Sequence, residues 1–149
     1  MTLQSSSTLT ILKPDGGTKL SVLGDILTCK ATVETTDNNW ELFELSGLGK
    51  SGPPLHTHPW DEAYYILEGE VEVQVGEKIM TTTPGYFINI PGQTPHTYNI
   101  QSETAKFLVL VSSPEARHFF EEIDNKIKSL PPDMEEVMNI AQKHNVIPT

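Results

Sequence analysis

Cysteine occurs once in this 149-residue sequence, as Cys29, so no disulfide can form within the chain. Cys29 lies in the apolar and Thr-rich run 26–33 and reads as a small buried or half-buried side chain. No G-x-S-x-G is present and Cys29 has no nearby partner in sequence, so a serine or cysteine nucleophile is poorly supported. Cations are scarce: 10 Lys and Arg face 20 Asp and Glu, for a formal charge of −10. Nucleic-acid affinity depends on Lys and Arg neutralising phosphates. The balance therefore argues against nucleic acid and against anionic membrane surfaces as partners, and no helix-turn-helix stretch or basic patch opposes it. Uninterrupted apolar runs reach only five residues, as at 107–111, whereas a membrane-spanning helix needs about 20. The opening M-T-L-Q-S-S-S-T has neither the basic nor the apolar stretch of a signal peptide. A soluble cytoplasmic protein is the expectation.

The length fits one domain. A chain of this size buries roughly 68–70% of its unfolded surface, enough for a proper core. Residues 1–8 are Ser/Thr-rich and read as a loose N-terminal segment. Residues 9–112 carry short β-like runs separated by Gly/Pro turns: 9–12, 26–36, 40–46, 62–67, 70–75, 78–83, 85–90, 96–100 and 106–112. A hairpin is expected about Glu68-Gly69. Val71, Val73 and Val75 alternate with Glu70, Glu72 and Gln74, the pattern of a strand with one buried face. So many short strands predict an all-β jelly roll or small barrel. The texture changes at Ser113, which suits an N-cap with Pro114 at the first helical position. Phe119, Phe120, Ile123, Ile127 and Leu130 recur at helical spacing. D-M-E-E from Asp133 then starts a second helix with Met134, Val137, Met138 and Ala141 on one face. Residues 113–149 are thus a helical tail, too short to fold alone and expected to pack on a barrel.

Three of the five histidines fall in two short windows, G-P-P-L-H-T-H-P-W-D-E-A-Y-Y-I-L-E-G (52–69) and G-Y-F-I-N-I-P-G-Q-T-P-H (85–96). Positions i and i+2 of a strand share a face, so His56 and His58 point two imidazoles at one spot. Four residues on, Glu62 shares the inward face with Tyr64 and Ile66, while Asp61 and Ala63 point away. Glu68 and Glu70 lie at the far end of that strand, in solvent. His96 follows a loop stiffened by Pro91 and Pro95, which brings it beside the first window. His56, His58, Glu62 and His96 are therefore the candidate ligands of one mononuclear metal. Three imidazoles and a carboxylate without Cys suit one divalent transition metal, and Fe, Mn, Ni, Co, Cu and Zn all fit. His118 and His144 fall on the tail helices, as surface or packing residues. Trp60, Tyr64, Phe87 and Tyr98 are candidate substrate-binding residues in an aromatic-walled cavity.

The two windows resemble the signature motifs of the cupin superfamily. The first motif runs Gly, five residues, His-x-His, three or four residues, Glu, six residues, Gly, and His56, His58, Glu62 and Gly69 fit it. The second runs Gly, five residues, Pro-x-Gly, two residues, His, three residues, Asn, and Gly85, Pro91 and His96 fit it. Three positions depart: Lys50 stands where the opening Gly is expected, Gly92 replaces a Gly expected at 93, and the Asn is Asn99, one residue early. The resemblance implies a double-stranded β-helix, the cupin jelly-roll barrel, with a short C-terminal helical extension.

Within the cupins, H-T-H-P-W-D-E-A-Y-Y-I-L-E-G looks like small quercetinase-type proteins. That resemblance implies a metal-dependent dioxygenase in which an enol or phenolic oxygen of a small-molecule substrate meets the metal directly. Glu62 would be catalytic, taking the hydroxyl proton before dioxygen attacks and the ring opens. Homodimers are common in the family and are expected here. Two alternatives stand beside it: a non-catalytic metal-dependent small-molecule binder, and an oxygen-independent cupin isomerase or decarboxylase.

Overall fold

The computed structural model describes residues 7–149. The elements run β1 (Thr18–Val22), β2 (Asp25–Ala31), β3 (Glu41–Leu48), β4 (His56–Thr57), β5 (Glu62–Glu68), β6 (Val71–Val75), β7 (Lys78–Thr82), β8 (Phe87–Ile90), β9 (His96–Ile100), β10 (Thr104–Val111), α1 (Pro114–Lys126), α2 (Met134–Lys143) and β11 (Ile147–Pro148). Six strands form one sheet in the order β1-β2-β3-β10-β5-β8, and five form a second, β11-β4-β9-β6-β7. Every pairing is antiparallel. The two sheets face each other as a jelly roll, and two short helices follow at the C-terminus.

Strand alternation builds the core. Phe43 and Leu45 of β3, Phe107, Val109 and Val111 of β10, Tyr64 and Ile66 of β5, and Val71 and Val73 of β6 all point inward and are buried. Their intervening neighbours face out. Helix α1 closes one side: Phe120 meets Phe43 edge to face at 5.4 Å, while Ala116 and Ile123 are fully buried. Its start is the expected one, with the Ser113 hydroxyl accepting from Glu115 N–H at 3.1 Å and Pro114 in the first turn. Arg117 ties α1 to β3 through the buried Glu41 carboxylate at 2.9 Å. Asp133 caps α2 by accepting from Glu135 and Glu136 N–H. His144, just beyond α2, sits between the Glu115 and Glu122 carboxylates at 2.7 and 2.9 Å and so joins the helices. His118 is half-exposed beside Glu115. No helix among the described residues is long and apolar enough to cross a membrane.

Three expectations fail in instructive ways. Residues 9–12 are not a strand: Leu9 and Ile11 are 89% and 85% exposed, and no strand among the described residues pairs with them. The first strand among the described residues is β1, supported by its β2 partner across the Leu23-Gly24 turn. The strand expected over 26–36 stops at Ala31, because Thr32 and Thr35 bond to each other as a turn: Thr32 N–H donates to Thr35 Oγ1 at 3.1 Å, and Thr35 Oγ1 donates to Thr32 O at 3.0 Å. β5 and β6 do not form a hairpin, because they belong to different sheets. The chain crosses between the sheets at Gly69, with φ +86°. A Cβ there would stand 2.5 Å from Thr104 O, so glycine is required for that crossing. The loose segment expected over 1–8 lies, up to residue 6, outside the described residues.

The motif departures have a backbone consequence. Lys50 and Gln93, the positions where the family motif expects Gly, both keep left-handed backbone, at φ 73° and 66°. A side chain in that region costs about 1–2 kcal/mol per residue. Gln93→Gly therefore raises stability by up to about 1 kcal/mol, a rise of roughly 2–4 °C in melting temperature at this size. Gln93→Val, β-branched at positive φ, lowers it. Thermal unfolding of both variants followed by circular dichroism checks the sign of each.

Candidate metal centre

The centre is assembled where β4, β9 and the start of β5 meet. β4 is only two residues long, held between β9 and β11. Its register with β9 puts His56 opposite His96, and the rings lie 4.4 Å apart between centroids. His58 lies just beyond the strand, its ring 4.6 Å from that of His96 and stacked on Trp60 at 4.3 Å. The loop 91–95 is pinned from the ligand side: Gln93 N–H donates to His58 O at 2.7 Å and Gly92 N–H to Asp61 Oδ1 at 2.8 Å. Asp61, exposed and turned away from the cluster, thus positions the loop that delivers His96.

All three imidazoles are oriented by backbone carbonyls. Nδ1 of His56 lies 2.8 Å from Pro54 O, Nδ1 of His58 3.0 Å from Trp60 O, and Nδ1 of His96 2.8 Å from Thr94 O. A carbonyl only accepts, so each Nδ1 carries the proton and each neutral ring presents the Nε2 lone pair. The ligand atoms of the three histidines lie within 4.8 Å of one another. Nε2 of His58 and Nε2 of His96 each stand 3.0 Å from Glu62 Oε2. Lone pairs facing a carboxylate at that distance repel unless a proton or a metal ion lies between them. The three histidines are therefore arranged to bind a metal, and Glu62 stands at the same point.

The electrostatics follow from burial. His58, Glu62 and His96 are all buried. Burial, joined by the charge of His96, pushes His56 down to about 4. Burial would raise Glu62, but where protons occupy the Nε2 atoms that face it, the bonds from His58 and His96 outweigh burial and hold the carboxyl at about 2. Burial would lower His96, but the Glu62 hydrogen bond and charge raise it instead.

A cavity of about 130 Å³ opens on this cluster. His56, His58 and Glu62 form one part of its wall, and Trp60, Tyr64 and Tyr98 line it as expected. Phe87 does not, contrary to expectation. It is 64% exposed on the outer face of β8, because β8 pairs with β5 so that Ile88 stands opposite the inward Tyr64 and Phe87 opposite the outward Tyr65. Sequence reasoning missed Asp25 and Ser51, which line the cavity from distant segments. It also missed that Phe119, Met134, Val137 and Met138 of the tail supply a wall. Helical periodicity marks those side chains as apolar, but not what they cover.

His96→Ala and His58→Ala each lower bound metal from near one equivalent to under about a tenth, while His118→Ala retains it. Elemental analysis after reconstitution and desalting, with circular dichroism as the fold control, checks this. Full occupancy in His96→Ala would remove His96 from the centre.

The geometry agrees with comparisons to known proteins. The Cupin domain family matches residues 45–111. A quercetin 2,3-dioxygenase of Bacillus subtilis (strain 168) is 28% identical over 101 residues, 67% of this chain and 30% of that protein. The chain thus spans under a third of that relative's length. Among solved structures, KdgF from Halomonas sp. superposes with a TM-score of 0.63 at 17% identity, over 70% of this chain and 94% of that one. The polyketide cyclase RemF from Streptomyces resistomycificus gives 0.62 at 19% identity, over 70% and 80%. A predicted oxalate decarboxylase from Thermotoga maritima gives 0.62 at 18% identity, over 70% and 99%. Identities this low carry the fold alone. The chain carries a match to the Cupin domain over residues 45–111, has the cupin fold, and resembles quercetinase-type proteins.

Proposed function

We propose that this cupin is a metal-dependent dioxygenase acting on a small enol or phenolic substrate, with His56, His58, His96 and Glu62 as ligands. The observation that carries the reading is the disposition of Glu62. Its Oε2 is held between His58 and His96, while Oε1 takes no hydrogen bond among the described residues and Glu62 lines the cavity. One carboxylate oxygen is thereby fixed in the cluster and the other is free to accept a proton from a substrate hydroxyl. A bound divalent transition metal would supply Lewis-acid polarisation of the substrate oxygen and a centre for dioxygen chemistry. Trp60 and Tyr64, buried beside the cluster, and Val137 and Met138 across the cavity exclude water from the reacting atoms. The 28% identity to a quercetin 2,3-dioxygenase supports the same class.

Oxygen uptake by protein loaded separately with Fe, Mn, Co, Ni and Cu, against a panel of flavonols and small enols, tests the proposal. Uptake is expected to need both metal and His96. Glu62→Gln keeps the metal and lowers turnover about 100- to 10,000-fold. Turnover without oxygen would replace the reading with an isomerase or decarboxylase. Occupied sites with no turnover would leave a binding protein.

We also propose a homodimer. On the outer face of the six-stranded sheet, Tyr65 stands opposite both Leu108 and Phe87, and Tyr65, Phe87 and the nearby Leu110 are 45%, 64% and 41% exposed. Such a row suits an isologous contact with a second copy. Light scattering at micromolar concentration is expected to give twice the chain mass, and a monomer overturns it.

A further inference from the structure

Asp25 begins β2 straight after the Leu23-Gly24 turn, where an acid would ordinarily be solvated. Instead it is 3% exposed and lines the cavity that also holds His56, His58 and Glu62. No Lys, Arg or His pairs with it among the described residues. Its partners are hydroxyls: Ser51 Oγ donates to Oδ1 and Tyr98 Oη to Oδ2. β3 leaves room for the group, since a Cβ at Gly47 would stand 2.6 Å from Asp25 Oδ1. Burial raises the Asp25 carboxyl above its ordinary value despite the lowering by Ser51 and Tyr98.

Each carboxylate oxygen has two acceptor positions, and one on each is taken by Ser51 or Tyr98. The others are open to a donor in the cavity. A second polar group is left unpartnered there: the Tyr64 side chain is 3% exposed, lines the cavity, and its hydroxyl makes no hydrogen bond among the described residues. Among the described residues no Lys or Arg lines the cavity, and its charged groups besides the histidines are the two acids Asp25 and Glu62. A volume of about 130 Å³ is close to that of a cavity known to admit a benzene ring, about 150 Å³.

We infer that Asp25, braced by Ser51 and Tyr98, is a specificity-determining residue that accepts a hydrogen bond from a second hydroxyl of the substrate, away from the group bound at the histidine cluster. The site then selects a neutral, compact ring carrying two separated hydroxyls. It disfavours the same ring without the second hydroxyl, and it disfavours small carboxylic acids, which would meet Asp25 without a cation to offset the charge. The inference builds on the metal-centred substrate site proposed above, but not on the reaction being an oxygenation.

The test is calorimetric binding to metal-loaded protein under argon, with metal content checked afterwards. Two matched hydroxypyranones serve as probes: kojic acid, whose hydroxymethyl lies across the ring from its enol, and allomaltol, the same ring with a methyl in place of that hydroxymethyl. Wild type is expected to bind kojic acid at least about tenfold more tightly, the scale of a hydrogen bond to a charged group. Asp25→Asn is expected to lower that preference at least about threefold, with allomaltol affinity unchanged. A residue that only braces the fold would change the melting temperature or both affinities together and leave the ratio intact; an intact ratio overturns the inference. Should Asp25→Asn fail to fold, a crystal of wild type with kojic acid decides: a hydroxymethyl within hydrogen-bond distance of Asp25 supports the subsite, and one placed elsewhere overturns it. A preference that depends on Asp25 without oxygen uptake would sink the dioxygenase proposal alone. Uptake with no dependence on Asp25 would sink the subsite alone.

Discussion

Three imidazole lone pairs and one carboxylate converge on a single buried point, and that convergence constrains the surrounding structure. The Nδ1 protons are committed to the carbonyls of Pro54, Trp60 and Thr94, so the rings cannot relieve the repulsion by exchanging tautomers. Only a cation at the centre satisfies Nε2 and Glu62 Oε2 together. Holding such a group out of water is costly unless every member is paired. The local architecture is correspondingly tight: a two-residue strand between two partners, a register that sets His56 against His96, and a loop bonded to His58 O through Gln93.

The same constraint links the tail to the site. β11 pairs with β4, placing Ile147 opposite Thr57 and Pro148 opposite His56. The strand that carries the first ligand is therefore completed by the last residues of the chain. Between them, α2 lays Met134, Val137 and Met138 over the cavity, and His144 fixes α2 to α1 through Glu115 and Glu122. The helical extension is a wall of the cavity as well as a cover for the sheets. The cavity consequently has an imidazole-rich part beside Glu62, an acidic spot at Asp25, and an apolar lining between them.

Much of the fold is legible in the order of the residues. The strands from β5 to β10 follow alternation and Gly/Pro punctuation, and the capping residues Ser113 and Asp133 mark the helix starts. Failures cluster where the outcome depends on pairing. Residues 9–12 look like a strand but have none beside them. Glu68-Gly69 looks like a hairpin turn but carries the chain from one sheet to the other, because β5 finds β10 and β8 while β6 finds β7 and β9. Phe87 shows the sensitivity of period-2 logic: moving by one residue along β8 exchanges the buried inner face, held by Ile88, for an outer one.

The order of the residues is enough to name the metal-ligand candidates and the runs that become strands, because local spacing, alternation and turn residues mark both. Only the folded chain shows that Lys50 and Gln93 keep left-handed turns at positions where the motif has glycine. Tertiary structure alone decided that Asp25 and Ser51 meet Tyr98 inside the cavity, that the tail forms its wall, and that Phe87 faces outward. Those outcomes join residues far apart in the chain, 73 positions in the bond from Tyr98 to Asp25 and 92 in the pairing of Pro148 with His56. No local pattern specifies such a meeting; the packing of two sheets and two helices around one core does.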